Sequence, residues 1–183
     1  MFREHPFDGF IGIGLGGAEQ KGPCKEFGPV FEKAIKDKYH AVAHAGEDVG
    51  PESIWDALRI LHAERIGHGI SSVQDEELVK YLCDKRVPVE VCPTSNVFTK
   101  KYVKKMTEHP VREMFDKGIP VTIATDDPIF FGVELIDEYW NLYSKLKFSK
   151  SEIKQLILNS FEDSFLSSSE KFRYKNLVDE KWS

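Results

Sequence analysis

The sequence has few cysteines and no long apolar run. Only three of its 183 residues are cysteines, and Cys24, Cys83 and Cys92 are irregularly spaced, with no C-x-x-C pair. This pattern indicates reduced thiols and argues against a disulfide framework or a thiolate zinc site. No run of about 20 apolar residues occurs, and the first residues lack the apolar centre of a signal peptide. We therefore predict a cytoplasmic protein that does not span a membrane.

The sequence also lacks an excess of positive charge. It contains 25 Lys and Arg against 30 Asp and Glu, which gives a formal net charge of −5 at pH 7. Because a nucleic-acid-binding domain is expected to be basic or to carry a basic stripe, no nucleic-acid partner is predicted. One short basic run occurs, and we interpret it as a solvated helix face; it contains Lys100, Lys101, Lys104 and Lys105.

The pattern of apolar runs predicts an α/β fold with a parallel sheet. No repeat, low-complexity segment or linker divides the chain, so residues 1–183 are predicted to form a single domain. Five short apolar runs alternate with amphipathic stretches, and their starts lie 30, 25, 22 and 33 residues apart. This spacing suits a strand, a helix and two loops, as in consecutive βαβ units. The predicted strands cover residues 10–15, 40–45, 65–68, 87–92 and 120–125.

Polar residues that can do chemistry collect where these apolar runs end. The runs end in Gly16-Gly17, His44-Ala-Gly-Glu47, His68-Gly69, Cys92-Pro-Thr-Ser-Asn96 and Thr125-Asp126-Asp127. Ligands of parallel α/β sheets and barrels bind at the carboxyl ends of the strands, so the pattern predicts an enzyme. An imidazole such as His44 and a carboxylate such as Asp126 suit Zn²⁺. Glu47 and His68 are able to move protons near neutral pH.

A nucleotide-binding domain is an alternative, because Gly12-x-Gly14-x-x-Gly17 matches the dinucleotide-binding fingerprint. Its first glycines alternate within a predicted strand, however, and no helix start follows them. This context favours a strand whose glycines allow a ligand to approach the backbone closely.

Several other conspicuous residues receive a structural interpretation. Cys92 is predicted to be a small buried apolar residue at a strand end. Three histidines are predicted to be surface or helix-end residues: His5, His62 and His109. Three aromatic residues are predicted to lie in the core: Trp55, Trp140 and Phe161.

Four strings together resemble the adenosine deaminase family. They are Ala43-His-Ala-Gly-Glu47, Arg65-Ile-Gly-His-Gly69, Glu90-Val-Cys-Pro-Thr-Ser-Asn96 and Thr125-Asp-Asp-Pro128, in the family's order and spacing. The resemblance implies part of a TIM (β/α)8 barrel, with about five parallel strands and their helices, plus C-terminal helices. It also implies hydrolytic deamination of adenosine or a related 6-aminopurine in purine salvage, in which a zinc-activated water attacks C6 and ammonia leaves.

The resemblance implies catalytic and metal-binding roles for four residues. His44 and Asp126 correspond to zinc ligands. Glu47 corresponds to the acid that protonates N1 of the purine. His68 corresponds to the residue that takes a proton from the zinc-bound water.

Two further residues correspond to positions that bind the purine. Gly17 is expected to meet the ring at N3 through its backbone N–H, and Asp127 to hydrogen-bond N7. Gly14 and Ala18 stand where many adenosine deaminases have Asp, so adenine or a modified adenosine nucleoside is an alternative substrate.

The family's two other zinc ligands form a His-x-His pair, which this sequence lacks. His40 cannot replace them, because four residues along a strand separate it from His44 by roughly 13 Å. The chain begins at what would be the fourth strand, and it is short for a barrel that needs at least about 200 residues. An alternative is therefore a catalytically incomplete fragment or split-barrel subunit. Its open strand edges would favour association with a missing N-terminal half or with itself.

Overall fold

A computed structural model describes residues 9–182, so His5 lies outside the described residues. The five strands of this range are β1 (Gly12–Leu15), β2 (His40–Ala45), β3 (Arg65–His68), β4 (Val89–Val91) and β5 (Val121–Ile123). The first helices are α1 (Gly28–Lys36), α2 (Pro51–Ile60), α3 (Glu76–Lys85), α4 (Pro93–Thr99) and α5 (Val111–Asp116). They are followed by α6 (Pro128–Phe131), α7 (Leu135–Lys145), α8 (Lys150–Glu162) and α9 (Ser168–Lys181). Short 3-10 helices cover Cys24–Glu26, Ser72–Gln74 and Met106–Glu108.

The five strands form one parallel sheet in the order β1-β2-β3-β4-β5. Each strand pairs with its neighbours in sequence, which is the strand order of part of a (β/α)8 barrel. The predicted fold class is confirmed. Three strands are shorter than predicted: β1 begins at Gly12 instead of residue 10, and β4 and β5 follow Pro88 and Pro120, which have no N–H to donate to a neighbouring strand. Their carbonyls still accept from Ile66 and Val89 at 2.9 and 2.8 Å.

The two faces of the sheet differ in character. One face is apolar and buried, and its residues include Ala41, Ala43, Ala45, Ile66, Val89, Val91, Val121 and Ile123. The opposite face corresponds to a barrel interior and carries small or polar residues, which include Gly14, His44, Gly67, Glu90 and Thr122. Apolar burial therefore anchors the helices on one side and leaves the other side available for chemistry.

The helices begin and end largely as their sequences indicate. Pro51 opens α2 at a position where its missing N–H would be unpaired anyway. Ser149 caps α8 in a capping box with Glu152, and Ile153 and Leu156 of this helix are buried in the core. None of the described helices is long and apolar enough to cross a membrane.

Two structural predictions were wrong. Trp140 is 63% exposed, because Glu138 and Leu142 occupy the buried side of α7. The lysine run is not a helix face, since α4 ends at Thr99 and Lys100 adopts a left-handed conformation with φ +54°. Cys92 is buried, and Trp55 is partly buried against the core, as predicted.

Candidate active site

The carboxyl ends of β2 and β3 bring His44, Glu47 and His68 together. The Nε2 atom of His68 lies 3.3 Å from Nδ1 of His44 and 3.4 Å from Oε2 of Glu47. Each of the three residues offers one ligand atom, and these atoms lie within 4.8 Å of one another. Residues chosen from the ends of two separate apolar runs thus form one cluster.

His44 projects from the polar face of β2 toward β3. Its β3 partner is Gly67, where a Cβ atom would lie 2.7 Å from Cδ2 of His44. A Cβ at Gly16 on the other side would be 3.6 Å from the same ring. The glycine at position 67 therefore makes room for the imidazole.

His68 reaches the cluster through an unusual backbone conformation. The sheet register pairs it with Ala45, which points away from His44 toward the buried face. Its φ of +64° is in the left-handed region, and the ring meets that of His44 edge to face with centroids 4.7 Å apart. A non-glycine residue in this conformation costs on the order of 1 kcal/mol, a strain that is concentrated at functional sites.

A chain of buried polar groups extends from His68 into the protein. Asn96 of α4 places Nδ2 3.1 Å from Nδ1 of His68 and Oδ1 3.2 Å from Nε2 of His109. The backbone N–H of Val111 donates to Nδ1 of His109 at 3.1 Å. Only 1–3% of these three side chains is exposed. His109 lies at a helix end, as one of the two predicted alternatives has it, since it follows the 3-10 helix Met106–Glu108. It is not a surface residue, because both of its ring nitrogens are bonded inside the core, whereas His62 is exposed as predicted.

Glu19 holds the loop that carries Glu47. Its carboxylate accepts hydrogen bonds from four consecutive backbone N–H groups, those of residues 46–49, at 2.6–3.1 Å. Such charge-assisted bonds are stronger than neutral ones. The sequence gives no signal for this contact, since Glu19 precedes the loop by 27 residues or more.

The cluster perturbs the protonation of its own members. Burial, together with the charges of Asp48 and Asp126, raises the pKa of Glu47 to about 7. Burial lowers the pKa of His44, although the residue keeps part of its surface exposed, and the neighbouring His68 adds to this effect. Burial likewise lowers the pKa of His68. Near neutral pH the site therefore combines a carboxyl group that is partly protonated with two neutral imidazoles.

Asp126 and Asp127 follow β5 and lie outside the three-residue cluster. Asp126 has a left-handed φ of +62°, and its Oδ2 accepts from Oγ of Ser95 at 2.7 Å. Its charge raises the pKa of His44 and opposes the effect of burial, which places its carboxylate near the cluster. Oδ1 of Asp127 accepts from the backbone N–H of Phe130 at 2.9 Å and so caps α6.

Gly17 lies at the end of β1, beside a cavity. The cavity has a volume of about 390 Å³, and Gly17, Glu19 and His44 contribute to its wall. Gly17 has φ +108°, and no atom lies within 4 Å of the position of a Cβ. No α-helix starts after β1 before Gly28, so the dinucleotide-binding fingerprint does not have the structural context that it requires.

Comparison with known proteins identifies the family. The family model described as "Adenosine deaminase" matches residues 2–181. The chain belongs to the adenosine deaminase family. It is 45% identical over 172 residues to aminodeoxyfutalosine deaminase of Streptomyces avermitilis, which covers 94% of this chain and 48% of that relative. The chain therefore spans about half the length of this curated relative.

Solved structures share the fold of this adenosine deaminase family chain. Adenine deaminase from Arthrobacter aurescens superposes with a TM-score of 0.90 at 38% identity, over 93% of this chain and 52% of that chain. An amidohydrolase from Burkholderia ambifaria superposes with a TM-score of 0.91 at 22% identity, over 99% and 50% of the two chains. The second likeness shows the fold alone.

The donor set of this family member fits a metal ion. The imidazoles of His44 and His68 and the carboxylates of Glu47 and Asp126 are the nitrogen and oxygen donors that Zn²⁺ accepts. Neutral imidazole is the form that ligates, and burial keeps both rings neutral near pH 7.

Proposed function

We propose that this chain contributes the acid, the imidazoles and part of the metal site of a hydrolytic deaminase that acts on 6-aminopurines. The observation that carries the proposal is the contact of Glu47 with His68 at 3.4 Å, beside His44, at the carboxyl ends of adjacent parallel strands. An acid with a pKa near neutrality beside neutral imidazoles suits proton transfer to a heterocycle.

Glu47 and His68 would act directly on the reacting atoms. In its protonated form Glu47 would donate to N1 of the purine, which draws electron density from C6 and opens that carbon to attack by water. His68 would hydrogen-bond the attacking water. The carboxylate left on Glu47 would take a proton from the attacking water and pass it to the 6-amino group, so that ammonia would leave C6. The proton of the remaining hydroxyl would return to Glu47.

His44 and Asp126 would hold the metal. A bound zinc ion supplies a water whose pKa is lowered to roughly 7. Ser95 would orient Asp126 through the 2.7 Å hydrogen bond, and Gly67 would leave room for His44.

Gly17 and Asp127 would bind the purine ring. The backbone N–H of Gly17 borders the cavity beside His44, and a side chain there would obstruct a ligand that approaches the backbone. Asp127 lies next to Asp126 at the end of β5, from which its side chain would face N7.

Adenine or a modified adenine nucleoside is the substrate class that we favour over adenosine. The similar proteins with 45% and 38% identity are an aminodeoxyfutalosine deaminase and an adenine deaminase. Gly14 and Ala18 also depart from the Asp residues of many adenosine deaminases, and Gly14 is exposed on the polar face of β1.

Turnover and zinc binding test this proposal on the purified chain. The chain would be loaded with Zn²⁺ and incubated with adenine, aminodeoxyfutalosine or adenosine, and ammonia release would be measured. We expect Glu47→Gln to abolish turnover and to leave zinc bound, whereas Glu77→Gln, an exposed site on α3, should change neither. Unchanged turnover in Glu47→Gln would remove Glu47 from the chemistry.

A second candidate is that these residues work only when a further polypeptide segment completes the barrel. Two observations favour it: β1 and β5 each pair with one strand only, and the described residues contain one cluster of three possible metal ligands. In that case the chain alone binds zinc weakly and turns over no substrate. Stoichiometric zinc with steady turnover by the monomeric chain would exclude this candidate.

A further inference from the structure

The chain of hydrogen bonds behind His68 ends at Val111, and the donor in that last hydrogen bond is fixed. The backbone N–H of Val111 is a donor, so Nδ1 of His109 must accept at the 3.1 Å contact. Burial lowers the pKa of His109 to about 3, which keeps the ring neutral near pH 7. A neutral imidazole has one protonated nitrogen, and in His109 this nitrogen is therefore Nε2.

The protonation of His109 determines which groups donate in the two hydrogen bonds that link it through Asn96 to His68. The Nε2–H of His109 donates to Oδ1 of Asn96 at 3.2 Å, so the amide NH2 faces Nδ1 of His68 at 3.1 Å and donates to it. Rotating the amide would place its NH2 against His109, and that ring would then have to accept at both nitrogens. A neutral imidazole cannot do so.

We infer that Asn96 and His109 are positioning residues that hold His68 in the tautomer with its proton on Nε2. This N–H points into the cluster, toward Nδ1 of His44 and Oε2 of Glu47. The consequence for the reaction rests on the proposed function: His68 acts on the attacking water as a hydrogen-bond donor. The role differs from the proton acceptance that the family resemblance implies, because Nε2 already carries its proton.

The same tautomer separates His68 from the metal ligands. A ligating nitrogen must be unprotonated, and Nδ1 of His68 is already occupied by the amide of Asn96. His44 has no such constraint on Nε2 from the described residues. The three-residue cluster therefore divides into a hydrogen-bond donor, His68, a possible metal ligand, His44, and the acid, Glu47.

Nitrogen-15 NMR of the histidine rings in the purified chain near neutral pH tests this assignment directly. The signals of His68 are identified by their loss in His68→Gln. We expect a pyrrole-type shift on Nε2 and a pyridine-type shift on Nδ1, with and without added Zn²⁺. The opposite pattern, or two pyrrole-type shifts, would overturn the inference, and this spectrum decides without any Asn96 or His109 variant.

Asn96→Asp tests the positioning role. A carboxylate has no N–H to donate, and it would accept from both histidines, so we expect a pyrrole-type shift at Nδ1 of His68. Asn176→Asp makes the same chemical change at an exposed site on α9 and should leave the spectrum unchanged. An unaltered His68 in folded Asn96→Asp would remove Asn96 from the positioning role.

Activity separates this inference from the proposed function. Loss of a preorganised donor lowers kcat by roughly a hundredfold, so Asn96→Asp should lower kcat by that order with little change in KM. An Asn96→Asp variant that protonates Nδ1 of His68 and keeps its kcat would refute the donor role. Absence of turnover in the wild-type chain would favour the second candidate, in which a further segment completes the barrel, while the NMR pattern still decides the tautomer.

Discussion

Glu47 should make the folded protein less stable as the pH rises, and Glu47→Gln should remove this loss. Only 15% of the Glu47 side chain is exposed, and burial raises its pKa from 4.5 to about 7. In the unfolded chain the carboxyl regains its ordinary pKa. Between these two values the folded state binds more protons than the unfolded state, so the free energy of unfolding falls as the pH rises.

The size of the effect follows from the two pKa values. A pKa raised from 4.5 to about 7 corresponds to about 3 kcal/mol of stability that is present at acidic pH and lost above neutrality. Glutamine has nearly the same shape and does not ionise. We therefore expect the free energy of unfolding of Glu47→Gln to rise relative to that of the wild type, by up to about 3 kcal/mol, between about pH 4 and about pH 8.

Urea unfolding of both proteins across this range measures the difference. A chelator is included, because a bound cation would stabilise the ionised carboxylate. Glu77→Gln provides the control, since it makes the same chemical change at an exposed site on α3. A difference between wild type and Glu47→Gln that does not vary with pH would refute the reasoning that burial keeps Glu47 protonated.

Three further variants test the groups around the cluster. Glu19→Gln replaces one accepting oxygen by an NH2 group. Amide hydrogen exchange in the loop after β2 should therefore accelerate, and the free energy of unfolding should fall by about 1–3 kcal/mol. Unaltered exchange would contradict this. Gly67→Ala places a methyl group 2.7 Å from Cδ2 of His44 and should weaken Zn²⁺ binding, as measured by calorimetry. Ser95→Ala removes the 2.7 Å hydrogen bond to Asp126 and should lower Zn²⁺ affinity by about 10–100-fold. An unchanged affinity in Ser95→Ala would argue that Asp126 is not a ligand.

The fold and the three-residue cluster could be predicted because both follow from local pattern. The spacing of the apolar runs predicts βαβ units, and parallel strands bring their carboxyl ends to one edge. His44, Glu47 and His68 lie at or just after the ends of two such runs, so their convergence needs no knowledge of distant contacts.

The supporting residues could not be predicted, because each acts across a long stretch of sequence. Glu19 meets a loop 27 or more residues away, and Asn96 meets His68 across 28 residues. His109 is polar and directly precedes Pro110, a pattern that suits an exposed helix start equally well. Only the packing of α4 against the segment before α5 shows that its ring is enclosed.

Two of the site residues sit in left-handed backbone conformations that side chains from one helix support. His68 has φ +64° and is bonded to Asn96, and Asp126 has φ +62° and is bonded to Ser95. Strain of this kind costs about 1–3 kcal/mol for each residue and persists only where the surroundings impose it. Because Ser95 and Asn96 are adjacent in α4, one short helix fixes a residue at the end of β3 and another after β5.

The preceding residue, Thr94, ties this helix to the core. Its backbone N–H and its hydroxyl each donate to one carboxylate oxygen of Glu138 at 3.0 Å, and Glu138 on α7 is fully buried. A buried carboxylate bonded in this way resists displacement of α4, since movement of this helix would break both hydrogen bonds from Thr94. The three consecutive polar residues of α4 therefore have different contacts: Thr94 fixes the helix, Ser95 holds Asp126, and Asn96 holds His68. The Cys92-Pro-Thr-Ser-Asn96 string supports the site by positioning its chemical groups, which explains why these polar residues are held inside the protein.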